Sequence, residues 1–166
     1  MPYSLSGHYG RLMDEIESAF QRSAPLFALP MYYPLAYSKD PAVDTQAQNR
    51  QQQVVALIRT IFLKRFESSI AAFAGSCLDL TTKVLDWLTM NSAGDEDAEE
   101  RLQTWMDTHG ALRQRVHDQF RPTREFVDVI DMSDLTAEEL DELELSLDPA
   151  EYRLHEMRNA AFDDLD

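Results

Sequence analysis

Cysteine is almost absent from this chain. Cys77 stands alone, so no disulfide framework forms within it, and a reducing compartment is the expectation. Glycine is scarce as well. The five glycines, at positions 7, 10, 75, 94 and 110, nowhere spell the GxxxxGK(S/T) cradle that nucleotide hydrolysis needs for its phosphates. No serine sits in a glycine-flanked elbow and Cys77 falls on an apolar stripe, so nucleophilic catalysis has no candidate residue. A zinc site needs clustered His or Cys. His109 and His117 can share a helix face, but His8, His155 and Cys77 are scattered, and each histidine is read as an ordinary core or surface residue. Acidic pairs such as Asp163-Asp164 lack calcium-loop spacing and read as a solvated face. No uncharged apolar run reaches the ~18 residues of a membrane span. Met1-Pro2-Tyr3-Ser4-Leu5-Ser6-Gly7 has neither a basic region nor an apolar signal core, so a soluble, cytoplasmic protein is expected.

Positive charge is lacking in one half only. Residues 1–90 hold 8 Lys/Arg and 8 Asp/Glu, whereas residues 91–166 hold 7 against 22 and carry the whole net charge of −15. A surface this acidic repels phosphates, which argues against the second half as a face for DNA or RNA. The first half is permitted to approach duplex DNA but is not marked for it. At 166 residues the chain reads as a single helical domain.

What is present in abundance is helical periodicity. A first helix is expected over residues 7–22, with Leu5, Tyr9, Leu12, Ile16 and Phe20 on one face. Ala24-Pro25 breaks it. Pro25, Pro30, Pro34 and Pro41 then alternate with Phe27, Tyr32, Tyr33 and Tyr37, an aromatic loop dense enough to pack against something. Residues 1–44 form this N-terminal portion. Residues 45–90 contain no proline, and Val54, Ile58, Phe62, Phe66, Ser69, Phe73, Cys77, Leu80, Val84 and Leu88 recur at steps of three and four. One continuous helix of roughly 60–70 Å is predicted, with Gly75 as the place to bend. Asn91-Ser92-Ala93-Gly94-Asp95 is a turn. A second helix over 96–120 follows, with Leu102, Trp105, Met106, His109, Leu112, Val116 and Phe120 on one side, antiparallel to the first because the connection is short. Residues 45–121 are thus expected to be a long helical hairpin, and residues 122–166 an acidic helical arm. Within that arm, residues 125–132 are ambiguous between extended chain and loop. Thr136-Ala137-Glu138-Glu139 and Asp148-Pro149-Ala150-Glu151 are capping boxes, predicting helices over 137–145 and 149–165. The fold class is all-α.

The centre of the periodic stretch carries its one chemically unusual string, Lys64-Arg65-Phe66-Glu67-Ser68-Ser69. On a wheel, Phe62, Phe66, Ser69 and Phe73 fall within about 60° of one another and are predicted to pack inward. Arg65 flanks that stripe; Lys64, Glu67 and Ser68 point away. Ser69, Ala72 and Ser76 form a small-residue strip that admits a neighbouring helix. Lys64 and Glu67 are spaced to pair at i,i+3. The contact candidates are Lys64, Arg65, Glu67 and Ser68, and there are no candidate catalytic residues or metal ligands. Asp95-Glu96-Asp97-Ala98 looks like a helicase acidic box, but no apolar strand precedes it, and it reads as a solvated helix start.

Leu63-Lys64-Arg65-Phe66-Glu67-Ser68-Ser69-Ile70-Ala71-Ala72-Phe73 resembles the L-K-R-(L/F)-E-S-S-x-x-A-F segment of bacterial Swi/Snf-type superfamily-two helicases. In those ATP-dependent DNA translocases it lies in a helical region between two RecA-like lobes. Ser4-Leu5-Ser6-Gly7-His8-Tyr9-Gly10-Arg11-Leu12 is similar to the stretch leaving the first lobe, and Tyr32-Tyr33-Pro34-Leu35-Ala36-Tyr37 to the aromatic piece before the long helix. The acidic residues 134–166 resemble the helical run before the second lobe. The resemblance implies a non-catalytic insertion, in which ATP and magnesium belong to the parent's lobes and this chain holds no cofactor. Its implied partners are those lobes and, through the first half, duplex DNA. From composition alone a second reading stays open: a freestanding acidic adaptor or inhibitor that binds a basic protein surface.

Overall fold

The computed structural model describes Gly10, Asp14 and residues 28–119 and 146–165. Gly10 and Asp14 are both helical. The rest of the first helix, the ambiguous stretch 125–132, the capping box at Thr136 and the helix expected over 137–145 lie outside the described residues. Two 3-10 turns, Pro30–Tyr32 and Pro34–Tyr37, precede four α-helices among the described residues: α1 (Thr45–Ser68), α2 (Ile70–Asn91), α3 (Glu96–Gln119) and α4 (Leu154–Leu165). No named strand occurs there, only an isolated antiparallel bridge between Ser38 and Tyr152. The fold is all-α.

The single long helix expected over residues 45–90 is two helices. Asp44 starts α1 by accepting the Gln46 N–H at 2.9 Å. The helix stops at Ser68, where the Ser68 hydroxyl donates to the Arg65 carbonyl at 3.1 Å. Ser69 is extended (φ −163°, ψ 123°), and its Oγ accepts the Ala72 N–H at 3.3 Å, so it is the N-cap of α2. Two adjacent hydroxyls thus bond backbone groups at the break, one at the end of α1 and one at the start of α2. Gly75, expected to bend it, lies inside α2. Along one continuous helix Phe62 and Phe73 would be about 16 Å apart. Instead Phe73 packs edge-on against Phe62 with centroids 6.1 Å apart and against Phe66 at 5.1 Å, so the chain turns sharply and α2 packs on α1.

The turn after Asn91 forms as expected. Gly94 takes φ +85°, and the two flanking acids satisfy the start of α3. Asp95 Oδ1 accepts the Ala98 N–H at 3.2 Å, and Glu99 Oε1 accepts the Gly94 N–H at 2.9 Å. Helix α3 returns beside α2, with Arg113 Nη2 donating to Thr82 Oγ1 at 3.3 Å. Its buried stripe is shorter than the sequence suggests. Ala98, Leu102 and Trp105 are buried, whereas Met106 is 40 % and Leu112 50 % exposed.

Helix α4 begins at Leu154, later than the capping box at Asp148 implies. The Asp148 carboxylate accepts the Ala150 N–H at 2.8 Å, but it caps a turn. Tyr152 is drawn out of helical geometry by its bridge to Ser38, where Lys39 N–H meets the Glu151 carbonyl at 2.8 Å and Arg153 N–H meets the Tyr37 carbonyl at 2.9 Å. From there α4 places Leu154, Met157, Ala161 and Phe162 in the core at helical spacing. This end of the expected acidic arm is therefore packed. The aromatic loop packs as well: Leu29 and Pro30 are fully buried, and Met31, Tyr33 and Tyr37 lie against the core of Val55, Phe62, Val84, Trp87 and Leu88.

Candidate functional site: the corner between α1 and α2

The string Lys64 to Ser69 is the corner itself. Phe66, with Phe62 beneath it, is buried, and Phe73 is half-buried against both, so these three expected packing residues do pack. Ser69 does not. It is exposed, because the N-cap position points its hydroxyl back at the backbone of α2.

Among the contact candidates, Lys64, Glu67 and Ser68 are exposed, and no ion pair joins Lys64 to Glu67. Arg65 is half-buried and serves a different purpose. Its Nη1 donates to Ser76 Oγ, which in turn donates to the Ala72 carbonyl at 2.9 Å. Arg65 thus brackets the end of α1 to the second turn of α2, while its Nη2 has no partner. Burial pulls the guanidinium below its ordinary value, against the opposing field of Asp79. The corner consequently shows the solvent one cation, one acid and two hydroxyls on a rigid aromatic base. Both hydroxyls also bond the local backbone, so Lys64 and Glu67 are the charged groups left at the surface.

The remaining titratable groups are arranged structurally. His109 bonds the Trp105 carbonyl through Nδ1 at 3.0 Å and stacks on the Trp105 ring at 4.5 Å. His117 lies 3.4 Å from Asp118, and His155 meets the Asn159 side chain at 3.2 Å. Burial pushes the Cys77 thiol up to about 12, so at neutral pH it is a protonated, unreactive side chain. Among the described residues no group of three His, Cys, Asp or Glu is placed to hold a metal ion, and no helix is long and apolar enough to cross a membrane. Asp95, in the string that looks like an acidic box, caps α3 and pairs with Arg158 of α4. A groove of about 440 Å³ runs between α3 and α4, floored by Trp105 and Phe162 and edged by Asp97 and Glu100, with the Arg101 guanidinium 4.2 Å over the Phe162 ring.

Sequence reasoning passed over three residues. Arg158 and Asn91 tie α4 to the α2–α3 turn: Asn91 Oδ1 accepts the buried Leu147 N–H at 3.0 Å, and Arg158 Nη1 donates to the Asn91 carbonyl at 2.9 Å. Asp164, read as part of a solvated acidic face, accepts the N–H groups of Ala28 and Leu29 at 2.6 and 2.7 Å. Its spacing, three residues after buried Ala161, was the signal available, since it places Asp164 beside the buried stripe of α4. Comparison of the chain with family profiles, characterised protein sequences and solved structures finds no match in any of the three.

Proposed function

We propose that this chain is a non-catalytic helical insertion of a Swi/Snf-type DNA translocase, which couples two ATPase lobes and positions duplex DNA or a partner. The observation that carries the reading is that the family-like string coincides with the corner of α1 and α2. Its apolar half locks the bend, and its polar half is turned out at the tip. A mechanical coupler needs that division: a stiff elbow that transmits movement between bodies, and a polar tip that makes the contact. Lys64 carries the electrostatic contact, Glu67 and Ser68 flank it, and Arg65 holds the elbow rigid. The parent's ATP and magnesium chemistry belongs to its lobes.

Titration of the chain with duplex DNA across a salt series tests the contact. If Lys64 meets a phosphate, Lys64→Ala lowers affinity and reduces the slope of log K against log salt by about one. Unchanged affinity and slope remove DNA as the partner. The reading frame around the coding segment tests the insertion: RecA-like lobes on both sides support it, and a frame without them overturns it.

The acidic start of α3 favours a second reading, an adaptor for a basic protein surface. Glu96, Asp97, Glu99 and Glu100 are all exposed within two turns. Calorimetric titration with a basic peptide, comparing the parent with an E96Q/D97N/E100Q variant at low and physiological salt, distinguishes the two.

A further inference from the structure

The groove of about 440 Å³ between α3 and α4 is lined on its α3 side by a single helix face. Asp97, Arg101, Trp105 and His109 follow one another at steps of four, with Glu100 beside them. The floor is aromatic. Trp105 and Phe162 are buried side chains, and the half-buried His109 ring extends the floor by stacking on Trp105 with centroids 4.5 Å apart.

Arg101 is spaced to pair with Asp97 at i,i+4, yet it turns to α4 instead. Its guanidinium lies 4.2 Å over the Phe162 ring and donates to Asn159 Oδ1 at 3.3 Å. Asp97 and Glu100 are therefore exposed at the rim, and neither has an ion-pair partner among the described residues. His109 adds an acceptor. Its Nδ1 meets the Trp105 carbonyl at 3.0 Å. A carbonyl only accepts, so Nδ1 carries the proton and Nε2 of the neutral ring is an acceptor. The groove thus combines flat rings with unused acceptors, and its lining holds two carboxylates against one guanidinium.

We propose that this groove binds an arginine side chain from a basic segment of a partner protein. The guanidinium lies against Trp105 and His109 and donates to Asp97 and Glu100. The inference rests on the reading of the acidic start of α3 as a contact for a basic protein surface, and gives that contact a place. A phosphate-bearing ligand is disfavoured by the acids at the rim. Arginine suits the groove better than lysine, because its planar cation stacks on aromatic faces and its five donors serve several acceptors. Arg101 on Phe162 shows the same stacking within the chain itself.

The test titrates the full, isotopically labelled chain at low salt with an arginine–serine repeat peptide, its lysine counterpart and a glutamate–serine control. The indole N–H resonances of the two tryptophans, Trp87 and Trp105, are followed. Trp87 is buried on α2 and does not line the groove. The arginine peptide is expected to move the Trp105 resonance, leave Trp87 in place and bind more tightly than the lysine peptide. Thr104→Phe fills the groove at an exposed lining position without changing charge, and is expected to weaken binding about tenfold. Glu100→Gln is expected to weaken it more than Glu96→Gln, an equal loss of charge outside the lining. Equal effects of those two variants, with none from Thr104→Phe, overturn the groove and leave a diffuse acidic contact standing. Lysine binding as tightly as arginine overturns the choice of side chain. No binding of either cationic peptide overturns both the groove and the acidic contact.

Discussion

The Arg158 guanidinium donates to the Asn91 carbonyl at 2.9 Å, so a cation on α4 closes the C-terminal end of α2. The same guanidinium pairs with Asp95, the N-cap of α3. One side chain therefore neutralises the negative end of one helix and holds the cap of the next, fixing the α2–α3 hairpin to the C-terminus.

Arg158→Ala is expected to destabilise the fold by about 2 kcal/mol, because it removes the ion-pair partner of the Asp95 carboxylate and a donor to the Asn91 carbonyl at once. Asp95→Asn is expected to cost less, since an amide still caps α3. Urea denaturation of the two variants checks the order; a larger loss for Asp95→Asn would contradict it.

Ser69→Ala removes the cap of α2 and is expected to cost about 1 kcal/mol, whereas Ser69→Asp keeps an acceptor there and stays close to the parent. Equal stability of all three in thermal melts would mean that the break at Ser69 is set by the aromatic packing alone.

Lys64 and Arg65 are adjacent in sequence and are expected to respond differently. Lys64→Ala leaves stability within about 0.5 kcal/mol, as exposed sites do. Arg65→Ala is expected to cost about 1–2 kcal/mol, through the lost bond to Ser76 and the lost stem packing. Chemical denaturation of both variants gives the comparison directly.

Asp164 has a defined sign in the global pH profile. Its folded value, about 6, lies above the ordinary 3.8, so the folded chain binds the extra proton between those values. Stability contributed by this group is present below about pH 4 and is lost as pH rises through 6. Asp164→Asn is expected to flatten that part of the curve. Denaturant midpoints from pH 4 to 7.5, parent against variant, measure it.

Cys77 is expected to resist alkylation in the folded chain at pH 8 and to react fully in denaturant, because burial keeps the thiol protonated. Mass spectrometry after brief iodoacetamide treatment reads the difference; rapid labelling of the native protein would show that the α2 stripe opens.

The sequence by itself determined the all-α class, the 91–95 turn, the packing role of the aromatic loop and the inward stripe of Phe62, Phe66 and Phe73. Each of these rests on local periodicity or on turn chemistry within a few residues. It also determined that Lys64, Glu67 and Ser68 face out, because they lie off that stripe, but it placed Ser69 inward, and the helix break exposes that residue. Tertiary structure decided the rest. A stripe at steps of three and four runs through Ser69 whether the helix continues or breaks, so the period alone does not reveal the sharp turn that Phe73 makes onto Phe62 and Phe66. The delayed start of α4 is set by Ser38, more than a hundred residues away in the chain. The same distance hides the difference between an ordinary surface acid and Asp164, whose partners Ala28 and Leu29 offer backbone N–H groups that carry no side-chain signature.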